Sequence, residues 1–95
     1  MKTEQKLQAT IIKYLKSKGC YVIKHSAAPG VPVGCPDISF YIEGFFGFAE
    51  IKTNSKSSFR PLQKETITKL NEWSWAKVIS NDNWEEIKQE LESIL

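Results

Sequence analysis

GCPDISFYIEGFFGFAEIKT, residues 34–53, holds two strand-like apolar runs, 37–43 and 46–53, joined by a turn that contains Gly44. An antiparallel hairpin centred near Gly44 to Phe46 brings the start of the first run opposite the end of the second. Asp37 then lies beside Glu50 and Lys52. Side chains alternate along a strand, so Phe48, Glu50 and Lys52 share one face, while Ala49 and Ile51 take the other. Three ionisable groups therefore meet in what otherwise reads as core.

Outward from the hairpin, residues 3–18 carry Leu7, Ile11, Ile12, Tyr14 and Leu15 at helical spacing, with Thr3 placed to cap the start and Gly19 to stop the helix. Residues 20–25 (CYVIKH) form a short β-rich run. The following SAAPGVPVGCP, with three prolines and two glycines, is a loop. After the hairpin, Ser58 is expected to cap a second helix, with Pro61 in its first turn and Leu62, Thr66, Ile67, Leu70 and Trp73 along one face. Residues 76–80 (AKVIS) are a strand. Asn81 or Asp82 starts a last helix with Trp84, Ile87, Leu91 and Ile94 on one face. The order α-β-β-β-α-β-α, with a right-handed crossover at its end, predicts an α/β fold with a mixed sheet flanked by helices.

With 95 residues the chain accommodates a single domain, residues 1–95. The longest apolar stretch, 38–51, is broken by Glu43, Gly44, Gly47 and Glu50, well short of the roughly 20 residues that span a bilayer. The opening MKTEQKLQ lacks the apolar region of a secretory signal. Cys20 and Cys35 lack the paired spacing of a zinc site and are too few for a disulfide framework. They read as reduced thiols of an intracellular, cytoplasmic protein, with Cys20 in the core. Net charge is only +2, so the basic character is local: Lys52, Lys56, Arg60 and Lys64 follow the second strand and would suit phosphates.

Two carboxylates brought together repel unless a cation lies between them, and burying them unpaired costs several kcal/mol. Hard oxygen ligands select Mg²⁺ or Mn²⁺, which one or two carboxylates hold together with water and substrate phosphate. A neighbouring lysine can pair with the acids at rest, then orient water or stabilise developing charge on a phosphate. Residue types and spacing thus describe metal-assisted attack of water on a phosphodiester. The plain alternative is that Asp37 caps a turn while Glu50 and Lys52 pair on a solvated face. Glu4 lies on the stripe of Leu7 and Ile11, facing either solvent or the site. Gln63 is either a surface amide or a neighbour of the Glu50 strand.

Pro36-Asp37, then twelve intervening residues, then Glu50-Ile51-Lys52 resembles the PD-(D/E)xK signature of restriction-endonuclease-like nucleases. Glu4 on the first helix, Gly34 before the Pro-Asp pair and Gln63 opening the second helix make the chain similar to the virus-type replication-repair nuclease domain (VRR-NUC). Archaeal Holliday-junction resolvases are relatives of that family. The resemblance runs from Glu4 to about Val78 and implies a restriction-endonuclease-like α-β-β-β-α-β core with an extra C-terminal helix. It implies that Asp37, Glu50 and the Ile51 carbonyl bind Mg²⁺, with Mn²⁺ able to substitute. Lys52 would activate or position water, Glu4 would hold a second metal or a metal-bound water, and Gln63 would support the site.

The expected activity is a metal-dependent DNA endonuclease, selective for branched DNA or Holliday junctions and encoded on a phage-like scale. His25 and Ser26, with Lys56, Arg60 and Lys64, are expected phosphate contacts. A homodimer is expected because two copies double a small basic surface. The alternative is a non-catalytic DNA-binding or partner-recruiting module of the same fold, although clustered carboxylates would only repel its ligand.

Overall fold

The computed structural model describes residues 1–26, 28–54, 56–58 and 62–95. Its elements are α1 (Glu4–Ser17), β1 (Tyr21–Lys24), β2 (Ile38–Ile42), β3 (Phe45–Ile51), α2 (Gln63–Trp73), β4 (Trp75–Ile79) and α3 (Trp84–Ile94), in the predicted order. The strands form a sheet ordered β1-β2-β3-β4. β1, β2 and β3 pair antiparallel, whereas β3 and β4 run parallel, because α2 carries the chain back to the starting end of the sheet. The result is an α/β domain with a mixed sheet and three helices.

Thr3 caps α1 by accepting from the Lys6 N–H at 3.2 Å, and Gly19, at φ +90°, ends it in a conformation that favours glycine. The four-residue spacing of Leu7, Ile11 and Leu15 lays one stripe on the sheet, where all three are buried. They pack with Trp84, Ile87 and Leu91 of α3 and with Ile38, Phe40, Ala49 and Ile51 of the hairpin. Tyr14 joins the two helices: its ring meets that of Trp84 edge-on at 5.4 Å, and its hydroxyl donates to Glu92 at 2.7 Å. Cys20 is buried in this core, as its sequence context predicts. The opposite sheet face is covered by α2 over β3 and β4, where Ile67 and Ala76 are buried apart from the main cluster.

Two helix starts differ from expectation. Ser58 does not cap α2, which begins at Gln63 with Leu62 in the capping position at φ +71° and no side-chain cap; Pro61 lies outside the described residues. Leu62 and Trp73 are exposed, and Gln63 is buried with Ile67 instead, because its amide finds polar partners inside. α3 begins at Trp84, after Asn81 and Asp82, since Asn83 closes the turn: its Oδ1 accepts from Ser80 N–H at 2.8 Å and its Nδ2 donates to Val78 O at 2.9 Å. Ile94 is exposed at the end of that helix. Among the described residues, no helix is long and apolar enough to cross a membrane.

Candidate active site

Asp37 immediately precedes β2 and is held from both sides. Its Oδ2 accepts from the Ile51 N–H at 2.7 Å, and its backbone O accepts from the His25 N–H at 2.7 Å. One step beyond the Ile38↔Ala49 pair, the register sets Asp37 across from Glu50. The hairpin thus makes the predicted juxtaposition, with backbone bonds fixing its geometry.

Glu50 is 1% exposed, which excludes a solvated face. Gln63 Nε2 donates to Glu50 Oε2 at 2.9 Å. Lys52 Nζ donates to Gln63 Oε1 at 3.3 Å and lies 3.6 Å from Glu50 Oε2. Lys52 is itself buried, and its N–H donates to Ile79 O at 2.9 Å, so β4 fixes where the lysine leaves the sheet. The first residue of α2 therefore ties together the acid and base that end β3. A buried ion pair survives its desolvation cost only with such further hydrogen bonds.

Glu4 is exposed in the first turn of α1, and with Thr3, Gln5, Gln8 and Asp37 it lines a cleft of about 460 Å³. Gln8, one helical turn past Glu4, was not singled out from sequence; its i+4 spacing was the available signal. A second hollow of about 400 Å³ includes His25, Ser26, Cys35, Pro36 and Asp37 in its lining, so Asp37 borders both spaces. Cys35 was also not singled out as a site residue. Burial first, then the Glu50 and Asp37 carboxylates, hold its thiol above the ordinary range, which places the thiol in the field of both acids. His25 Nε2 is 2.8 Å from Ser39 Oγ. Ser26, Lys56 and Lys64 are exposed, and neither lysine belongs to the acid cluster. Arg60 lies outside the described residues.

Among the described residues, no three His, Cys, Asp or Glu side chains converge closely enough to enclose a metal ion. Asp37, Glu50 and the Ile51 carbonyl offer oxygen only, and Mg²⁺ needs one or two carboxylates with water and phosphate filling the rest. The set suits such a hard ion; zinc sites close instead on nitrogen and sulfur ligands.

Fold and site together define a small mixed-sheet α/β domain in which one acid, one buried acid–amide–lysine network and a cleft share a sheet end. No protein-family model, curated protein or solved structure matches the chain.

Proposed function

We propose that the chain is a PD-(D/E)xK nuclease of the virus-type replication-repair kind: a Mg²⁺-dependent DNA endonuclease selective for branched duplexes, also active with Mn²⁺. The observation that supports this most is the buried Glu50, bonded to Gln63 and paired with Lys52, directly across the hairpin from Asp37. Asp37, Glu50 and the Ile51 carbonyl would hold the cation, and Glu4 across the cleft would hold a second ion or an ordered water. When bound, the cation supplies Lewis-acid neutralisation of phosphate charge.

The remaining work falls to the chain's own groups. Lys52 orients the attacking water and stabilises charge on the non-bridging oxygens. Gln63 holds Lys52 and Glu50 in register. Water oxygen bonds to phosphorus as the bond to the 3′ oxygen breaks, leaving 5′-phosphate and 3′-hydroxyl ends. A homodimer belongs to the same proposal, because a charge of +2 gives one copy little hold on branched DNA.

The test incubates the protein with labelled duplex, flap, splayed and four-way DNA in Mn²⁺. Cuts near branch points are expected, and Asp37→Ala, Glu50→Ala and Lys52→Ala should each slow them by about 10² or more. Full activity in all three variants would overturn the proposal. Calorimetric titration with Mn²⁺ gives a readout independent of turnover; no uptake, together with metal-independent DNA binding, would assign the fold to a binding module instead.

A further inference from the structure

The sheet face opposite the main core presents its side chains in cross-strand rows. Tyr21, Tyr41 and Phe46 are register partners across β1, β2 and β3. Ile23, Ser39 and Phe48 form the next row. The row after that runs from His25 through Asp37 to Glu50. The first row is a chain of touching rings: Tyr21 to Tyr41 at 6.5 Å, then Tyr41 to Phe46 at 6.3 Å with planes 24° apart. Phe46 continues edge-on to Phe48 at 6.2 Å. Tyr21, Tyr41 and Phe46 nonetheless remain 70%, 39% and 46% exposed.

Area decides what can cover them. At about 200 Å² per aromatic side chain, the three leave roughly 300 Å² open. A second copy of the chain would need about 800 Å² from each partner, far more than this row offers. Two or three flat bases need no more than the ring faces. The rings are uncharged and the adjoining turn carries Glu43, so contact is made to base faces while the phosphates run elsewhere. Rows on one face are about 7 Å apart along the strands, which puts the rings, two rows away, about 14 Å from the acids. A strand stacked on the rings is a short step from Asp37 and Glu50.

We propose that Tyr21, Tyr41 and Phe46 form a stacking platform for unpaired nucleotides, which makes a single-stranded arm beside the scissile bond part of the substrate. The link to cleavage rests on the nuclease reading of the acid site; the binding does not. Fluorescein-labelled oligo-dT and a duplex of equal length are therefore titrated in EDTA, with anisotropy as the readout and thermal melting as the check on folding. Tyr41→Leu and Phe46→Leu keep an apolar surface but remove the ring.

Each is expected to weaken oligo-dT binding about tenfold, with duplex affinity and the slope against salt unchanged; Phe46→Trp restores it. An unchanged oligo-dT affinity, or an equal loss on duplex, would overturn the proposal. So would loss of a dimer with DNA affinity intact, which would give the face to a second copy. Oligo-U, run alongside, must bind more weakly than oligo-dT if the arm is DNA. Ring-dependent binding in a protein that never cuts would sink the nuclease and leave the platform standing; cutting indifferent to the rings would do the reverse.

Discussion

A carboxylate as enclosed as that of Glu50 loses hydration worth several kcal/mol, and persists because Gln63 and Lys52 return part of it. Asp37 is held differently: Ile51's N–H gives it a charge-assisted bond that also closes the hairpin end. Cys35 reports on both acids without taking part in the proposed chemistry. Because burial and then the two carboxylates hold its thiol pKa up, neutralising one acid lowers it. We expect Glu50→Gln to speed alkylation of Cys35 by iodoacetamide at about pH 8, since more thiolate is present. Peptide mass mapping separates Cys35 from buried Cys20, and an unchanged rate would detach the thiol from the acids.

At the scale of elements, the hairpin was legible from alternation and Gly44, but its centre was not: the turn is Glu43–Gly44 with Ile42 paired to Phe45, ahead of the expected Gly44 to Phe46, and that register carries Asp37 to Glu50. The start of α2 was not legible. Ser58 carries helix-start chemistry, yet α2 begins at Gln63, and Leu62 takes a left-handed conformation that no composition rule favours. Position alone left Gln63 either a surface amide or a neighbour of the Glu50 strand, and only family resemblance gave it a supporting role, since a polar residue facing inward breaks the apolar period that locates helices. Gly34 shows a related limit: at φ +84°, a Cβ there would lie 2.9 Å from Leu62 O and from Thr66 Oγ1, so the loop leading to Asp37 rests directly on α2. That contact spans 28 residues of sequence and has no local signature.

The joint between α1 and α3 has its own pH dependence. Burial, then the bond to Glu92, raises the Tyr14 pKa far above its usual value of 10.0. The phenol therefore stabilises the fold fully below pH 10, and that contribution falls as pH rises further, because the unfolded chain ionises first. Tyr14→Phe should flatten the decline in melting temperature above pH 10; an equally steep decline in the variant would place the alkaline weakness elsewhere.

Over the whole molecule, the radius of gyration of 12.6 Å matches the value of about 12 Å expected for a folded chain of this length. Three tryptophans sample it unequally: Trp73 is 74% exposed, whereas Trp75 and Trp84 are 7% and 8% exposed. Iodide should quench one third or so of the emission and then reach a plateau. Quenching of all three would contradict the packing of β4 and α3 described above.

The turn after β4 has a bearing on the cleft. Asn81 Nδ2 donates to both Lys2 O and Thr53 O at 2.8 Å, while its Oδ1 accepts from Lys2 N–H at 3.3 Å. One amide thus latches the residues just ahead of Glu4 to the residue just past Lys52. Glu4 and Asp37 line the same cleft, and Asp37 is bonded to Ile51 N–H two residues before Thr53, so the latch ties together the two segments that carry these acids. The spacing of the cleft's walls thus leans on an amide that is not part of its lining.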